Sequence, residues 1–344
     1  MVRTGAAARP TLAVIAREAR VSVPTASKVV NGREDVAPET RRRVAEVLDR
    51  LGYVRRPRSG TAAEPSLVDV VVHSLSSSCT AAVLHGIEEA ADEAGLDVVV
   101  SAGLARSRGC GPDRGRLQRL AARGTAGLIF HLAELTPSQY GWLEQHRIPF
   151  VMIDPAVKPP PWVVSVGADN VGGGASATGH LLALGHRRIA FIGGHRHALC
   201  GRDRLEGHRS ALAAAGVTSR QAYEKYGRFT TAEARDRALE LLDLPEPPTA
   251  VFVCSDAMAL GVYEAAAARG VRIPDDLSVV GFDDLPEARW ATPALTTVRQ
   301  PLSDMSATGL RLLVRLMEGD RPDAPLTELP TRLTVRASTA PPRP

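Results

Sequence analysis

The chain has 344 residues, 44% of them hydrophobic, which suffices for two domains or somewhat more with sizeable cores. No apolar run is long enough to span a bilayer and MVRTGAAARPT lacks the apolar stretch of an export signal, so the expectation is a cytoplasmic protein. Residues 1–60 hold thirteen Lys and Arg against six Asp and Glu, a net of +7, while the whole chain carries +4, so a basic head is joined to a remainder of −3.

That head reads as three short helices. Leu12, Ile15, Ala16 and Ala19 recur at helical spacing behind Thr11, an N-cap residue. After the short connection Arg20-Val21, Ser22 caps a second stripe of Ala26, Val29 and Val30, with Pro24 in the first turn where its missing N–H is not needed. Val44, Val47, Leu48 and Leu51 form a third stripe. Two helices across a tight turn make a helix-turn-helix unit, whose second helix enters a DNA major groove. Any small helical hairpin shares the spacing. The third stripe and the concentrated positive charge favour DNA.

The segments TLAVIAREARVSVPTASKVVNG and VAPETRRRVAEVLDRLGY resemble the head of the lactose-repressor-type (LacI/GalR) family of bacterial transcription factors. The resemblance continues through GHRRIAFIGG, SDAMALGVYEAA, IPDDLSVVGFDD, PALTTVRQP and VRAST, covering nearly the whole chain in family order. It implies a small all-α helix-turn-helix head plus an α/β, periplasmic-binding-protein-like core of two parallel-sheet subdomains. Val23, Pro24 and Lys28 would then face base edges. Thr25, Ser27 and Asn31 are better placed for phosphates, and Thr11 and Ser22 complete the expected DNA contacts. Only Lys28 can donate to a guanine edge. Two departures stand out. Arg20 occupies a turn position that usually carries Gly, and Ala37 replaces a capping Ser.

The boundaries expected are a DNA-binding domain over 1–54, a hinge over 55–66 and an effector-binding and dimerisation core over 67–344. In relatives the hinge folds as a helix on DNA and pushes a Leu wedge into the minor groove. Here Ala62 stands at that position, and Pro57 and Gly60 interrupt the segment. Either the hinge helix is short or absent, with Arg55, Arg56 and Arg58 contacting phosphates or a narrow minor groove, or the segment is a plain linker.

From Leu67 onward, apolar runs (VDVVV, LDVVV, GLIF, FVMI, RIAFIG, AVFV, LSVVGF) alternate with helical patterns, the signature of parallel sheets covered on both faces. A break near Gly167 to Gly174 separates two similar halves. With the three crossings of the family core placed near Val166–Ala168, Leu295–Val298 and Ala324–Thr327, one subdomain covers about 67–166 plus 298–324. The other covers about 168–296 plus 326–338.

Open α/β sheets bind ligands outside the carboxyl ends of their strands. Asp154, Ser255, Asp256 and Asp283 lie just after such runs, Arg204 opens a helix after the strand ending in IGG, and Phe229 sits in YGRFTT. The resemblance implies that Asp154, Arg204, Ser255 and Asp283 hydrogen-bond the effector and that Phe229 stacks on it. Carboxylates and a guanidinium fork suit paired hydroxyls, and an aromatic face suits the C–H face of a sugar ring. Asp256 reads instead as a helix N-cap.

Other signals have blander readings. The four cysteines, Cys79, Cys110, Cys200 and Cys254, show no metal-ligand spacing and are expected to stay reduced. His180, His186, His195 and His197 fit no zinc pattern and read as surface or cleft residues. Leu302, Met305, Leu310, Leu313 and Leu316 read as a core helix face, and the tail APPRP as disordered.

The expectation is a sequence-specific repressor, not an enzyme, with no cofactor and no metal. Its partners would be a pseudo-palindromic operator, a sugar-like effector in the cleft between subdomains and a second copy in a homodimer. Rival readings are an effector-independent DNA-binding protein and a nucleotide-cofactor enzyme. Gly172, Gly174 and Ala177 formally match G-x-G-x-x-A, but no Asp or Glu occurs from Val171 through Arg202 to hold a ribose.

Overall fold

The structure, a computed structural model, describes residues 12–30, 36–50, 67–102 and 111–343. It divides into two units, residues 1–63 and 64–344. The first contains helices α1 (Leu12–Glu18), α2 (Val23–Val30) and α3 (Pro38–Arg50). Their core is Ile15, Ala16, Ala19, Ala26, Val44 and Val47, with Val21, Val29 and Leu48 packed against it. Helical spacing had selected nearly all of these; Leu51 lies outside the described residues.

The turn between α1 and α2 explains the departure at Arg20. The Val21 N–H donates to the Ala16 carbonyl at 2.9 Å and the Arg20 N–H to the Arg17 carbonyl at 3.2 Å, the paired bonds of a Schellman motif. Arg20 therefore takes φ 52°, the left-handed conformation in which a side chain costs about 1 kcal/mol. Arg43 Nε donates to the Ala19 carbonyl at 3.0 Å, satisfying one of the last carbonyls of α1. Ser22 caps α2, its Oγ accepting the Thr25 N–H at 3.2 Å.

The second unit alternates strands and helices. Its first part runs β1 (Leu67–Val72), α4 (Ser78–Ala94), β2 (Asp97–Ala102), α5 (Arg114–Ala122), β3 (Gly127–His131), α6 (Pro137–Gln145), β4 (Phe150–Ile153) and β5 (Ser165–Ala168). The next runs α7 (Asn170–Ala183), β6 (Ile189–Gly193), α8 (Leu199–Ala214), β7 (Glu224–Tyr226), α9 (Thr231–Leu242), β8 (Ala250–Val253), α10 (Asp256–Ala268), β9 (Ser278–Asp283), α11 (Pro286–Trp290) and β10 (Thr296–Arg299). The chain closes with α12 (Leu302–Met317), β11 (Leu326–Leu329) and β12 (Arg332–Thr334).

Two six-stranded sheets result, in the orders β11-β5-β4-β3-β1-β2 and β12-β10-β9-β8-β6-β7. All pairings are parallel except β10 with β12. Alternation along a strand feeds two layers. Val68, Val70 and Val72 of β1 join Met305, Leu310 and Leu313 of α12 in one core. Val71 joins Leu117 and Leu120 of α5 and Leu143 of α6 in another. The second sheet is built around Phe191, Phe252 and Phe282.

The first crossing between sheets follows β5, near where the sequence placed it. The other two fall later than expected. Strand β10 belongs to the second sheet and β11 to the first, so the chain changes sheets at 300–301 and at 330–331. The shift arises because Thr296–Arg299 pairs with β9 before leaving, and Leu326–Leu329 pairs with β5 before returning.

The tail is ordered through Arg343, contrary to the disorder expected of it. The Ala340 N–H donates to Ser278 Oγ at 3.0 Å, and Arg343 Nη1 donates to Asp276 at 2.9 Å. His186 is buried beneath this tail. Its ring lies 2.9 Å from Thr249 Oγ1 and 2.9 Å from the Ala340 carbonyl, so it is a core residue and not a surface one.

Candidate functional site

On the head, α2 presents Val23, an apolar residue that remains 46% exposed. Pro24 is exposed beside it and Thr25 is half-buried. Ser22 Oγ lies 2.7 Å from Thr25 Oγ1, so both hydroxyls belong to the capping turn that opens the helix. Ser27 and Lys28 follow on α2. Thr11, Asn31, Arg55, Arg56, Arg58 and Ala62 lie outside the described residues, and with them the question of a hinge helix.

The second site gathers where strand ends of the two sheets meet. The Leu199 N–H, at the start of α8 in the second half, donates at 2.9 Å to the carbonyl of Ala156, just past β4 in the first half. Arg204, on α8, is buried and carries the most contacts. Its Nε donates to Asn170 Oδ1 at 2.8 Å, its Nη1 donates to the Cys254 carbonyl at 2.5 Å, and its guanidinium lies 3.6 Å above the Phe282 ring centroid. Nη1 is also 3.7 Å from Asp283 Oδ1. Burial opposes its charge, but the neighbouring Asp283 and Asp154 carboxylates favour the protonated guanidinium.

Asp154 follows β4 and Asp283 ends β9, both buried. Burial raises both carboxyls above the ordinary carboxylate range. Asp154 is raised against the pull of Arg204, and Asp283 rises to about 7 with Asp154 adding to the effect. Gln300 Nε2 donates to Asp283 Oδ1 at 2.7 Å. No described residue donates to the Asp154 carboxylate.

Phe229 sits in the turn before α9, against Gly194. A Cβ at 194 would lie 2.0 Å from the Phe229 ring, so only glycine leaves room for it. Asp154, Phe229, Asp283 and Asp284 all have positive φ, at 47°, 55°, 114° and 60°. Such strained backbone gathers where structure is held for function.

Ser255 follows β8, next to the Cys254 carbonyl that Arg204 grips. Its Oγ accepts the Met258 N–H at 3.3 Å, making it the N-cap of α10. The N-cap assignment to Asp256 is therefore wrong. Asp256 is fully buried and accepts from Thr297 Oγ1 at 2.6 Å and from the Leu285 N–H at 2.9 Å, joining β10 and the turn after β9 to α10.

Four further residues complete the site. Cys79, at the start of α4, lies within electrostatic range of Asp283, Asp154 and Arg204. His131 ends β3 with its Nδ1 buried and unpaired, and burial lowers it to about 4, so it is neutral. Asn170 and Gln300 hold the charged pair, and Gln300 Oε1 is likewise buried without a partner. His131 follows GLIF, within reach of the strand-end rule, and Gln300 would come within its reach were TTVR read as a strand.

Three cysteines, Cys79, Cys200 and Cys254, are free. Among the described residues no cluster of His, Cys, Asp and Glu could hold a metal ion. No helix of the described residues is long and apolar enough to cross a membrane. The glycines of the G-x-G-x-x-A match lie inside α7, where Gly172 leaves room for the capping Asp169 side chain and Gly174 admits a neighbouring helix. A Cβ at Gly174 would lie 2.2 Å from the Arg204 carbonyl. That close approach of α7 and α8 helps seat Arg204.

Comparison with known proteins agrees with both halves of this picture. Residues 11–56 match the model of bacterial regulatory proteins of the lacI family, and residues 178–339 match a periplasmic binding protein-like domain. The chain is 35% identical to the HTH-type transcriptional regulator CelR of Thermobifida fusca, over 96% of this chain and 98% of that protein. It is 31% identical to catabolite control protein A of Priestia megaterium, over 94% of this chain and 98% of that protein. Among solved structures, a lac repressor dimer bound to operator and the anti-inducer ONPF is similar with TM-score 0.78 and 27% identity, covering 97% of this chain and all of that one. A CelR–cellobiose complex is similar with TM-score 0.73 and 35% identity, covering 96% and 100%. The chain belongs to the LacI family of bacterial transcriptional regulators.

Proposed function

We propose that the chain is a cytoplasmic, homodimeric repressor whose affinity for a pseudo-palindromic operator is set by a sugar-like effector held between the two sheets. The observation that carries this reading is the buried constellation of Asp154, Arg204 and Asp283 at the strand ends. It holds hydrogen-bonding capacity that the described residues do not use, in a protein whose excess positive charge sits on a helical head.

Each residue has a role. Lys28 donates to a base edge, Val23 and Pro24 make apolar contact in the groove, and Thr25 and Ser27 lie along the phosphates. Thr11, Ser22, Asn31, Arg55 and Arg56 complete the DNA contacts. In the cleft, Asp154 and Asp283 accept from vicinal hydroxyls, and Arg204 donates with the part of its fork that Asn170 and Cys254 leave over. Phe229 covers the C–H face of the ring. Ser255 still has its hydroxyl proton to donate while its oxygen caps α10. Two heads on a two-fold axis read a two-fold sequence. An effector controls them only if it binds one arrangement of the subdomains better than another.

A panel of mono- and disaccharides, led by cellobiose because the similar CelR structure holds that sugar, tests the reading by thermal shift and calorimetry. Operator duplexes are obtained by selection from random DNA with the purified protein. The reading expects at least one saccharide to bind with micromolar to millimolar affinity and to change operator affinity about fivefold or more. Enrichment of no sequence, or indifference of the bound sequence to every saccharide that binds, would overturn it.

A further inference from the structure

We infer that Asn170 and Gln300 are positioning residues that make the occupancy of the cleft felt at the crossings between its two halves. The inference rests on the reading of the cleft as an effector site, and it adds how that site reaches the rest of the molecule.

Each residue belongs to a crossing. Asn170 is the first residue of α7, directly after β5 leaves the first sheet. Gln300 follows β10, where the chain leaves the second sheet for α12. Each is buried, and each holds one member of the central ion pair. Asn170 Oδ1 accepts from Arg204 Nε, and Gln300 Nε2 donates to Asp283 Oδ1. Asn170 also reaches back, its Nδ2 donating to the Ala168 carbonyl at 3.2 Å.

The third crossing is stitched to the first. The Asp169 N–H donates to the Leu329 carbonyl at 2.9 Å, and Thr331 Oγ1 donates to the Asp169 carbonyl at 3.1 Å. A movement of Arg204 or Asp283 toward a ligand therefore pulls on segments whose torsions set the relation of the two sheets. Gln300 keeps Oε1 buried and unpaired, an unfavourable arrangement for a residue that served packing alone. Close-packed, hydrogen-bonded segments of this kind transmit small displacements, because they switch between arrangements and do not deform smoothly.

Two arms test the inference on the full-length dimer. In the ligand-free protein, the Asp283 carboxyl is titrated by NMR in the unmodified chain and in Gln300→Met. Removal of the amide donor moves that titration upward from about 7, whereas a residue of purely structural importance lowers the melting temperature and leaves the titration in place.

In the second arm, operator affinity is measured without sugar and with saturating cellobiose. Gln300→Met and Asn170→Leu still bind the sugar at raised concentration but lose most of the change in operator affinity. Asn170→Asp, which keeps an acceptor for Arg204, retains it. An unmoved titration, or an unchanged operator response in the folded variants, overturns the inference. Failure of cellobiose to bind the unmodified chain counts against the effector reading for that sugar, while the titration still decides whether Gln300 positions Asp283.

Discussion

The Arg204 guanidinium sits over the Phe282 ring, 3.6 Å from its centroid, while its Nε and Nη1 are held by Asn170 and the Cys254 carbonyl. Stacking, a fork of fixed donors and burial combine on one side chain, and lysine can reproduce neither the plane nor the fork. Arg204→Lys is expected to weaken cellobiose binding by about tenfold or more, in line with the ~1.5–3 kcal/mol of a charged hydrogen bond. Binding of the head to its selected duplex in the absence of sugar should stay within about twofold. Calorimetry and fluorescence anisotropy on the same preparation separate the two.

Gly194 and Phe229 offer a steric test. Gly194→Ala drives a methyl into the ring, at an overpacking cost of about 1–3 kcal/mol, and displaces the surface proposed to cover the sugar. The expected result is a weaker saccharide affinity with operator binding preserved. Unchanged calorimetry would show that the ring does not touch the ligand.

The head offers a stabilising change. Arg20 occupies the C′ position of a Schellman motif at φ 52°, so Arg20→Gly should relieve about 1 kcal/mol of local strain. Slower amide exchange at Val21, whose N–H closes that motif onto Ala16, would register it in the full-length protein. Lys28→Ala, by contrast, should cost about 1–3 kcal/mol of discrimination between selected and random duplex and leave saccharide binding alone.

Acid exposes the buried histidine of the second half. His208 is buried, its Nδ1 2.8 Å from Thr178 Oγ1, and burial lowers it from the ordinary 6.5 to about 4. The unfolded chain thus takes up the proton first. The stability that neutral His208 lends is complete above the unfolded value and is lost as the pH falls from 6.5 toward about 4. Asp283 has the opposite sign. Raised to about 7, it favours the folded chain at low pH, and that contribution fades as the pH rises through about 7. The residue-level test is therefore a difference. His208→Gln should remove about 2 kcal/mol of the stability lost between about pH 7.5 and about pH 5, measured by denaturant unfolding at both. An equal acid loss in variant and parent would contradict the assignment.

Much of this architecture is legible in the residues because burial on both faces leaves continuous apolar runs. VDVVV, GLIF, FVMI and AVFV each became a central strand. Three of the strands missed, EKY at 224–226, LTEL at 326–329 and RLT at 332–334, are half-exposed edge strands, where solvent on one side removes the apolar signal; the other two, SVGA at 165–168 and TTVR at 296–299, are mostly buried but short and rich in small or polar residues, so they leave no apolar run. The crossings slipped for the same reason, since they are set by which neighbour those short strands pair with. Within the site, strand ends located Asp154, Ser255 and Asp283, and the family pattern located Arg204 and Phe229. His131 follows GLIF and is open to the same strand-end rule, whereas Asn170 acquires its place only through tertiary contacts and Gln300 only once TTVR pairs with β9. The exchange of capping roles between Ser255 and Asp256 likewise depends on Thr297 and Leu285, far away in the chain. The positive φ at Asp154, Phe229 and Asp283 has no local sequence mark, because none of the three is glycine.

The most direct test of a cationic reader governed from a cleft in the other unit is a pair of anisotropy titrations at physiological ionic strength. The full-length protein is added to the duplex it enriches from random DNA and to a scrambled duplex of equal length, with and without cellobiose and the other saccharides that bind. The account expects a preference of about a thousandfold or more for the enriched sequence, altered about fivefold or more by at least one sugar. Equal affinity for both duplexes, under every saccharide, would contradict it.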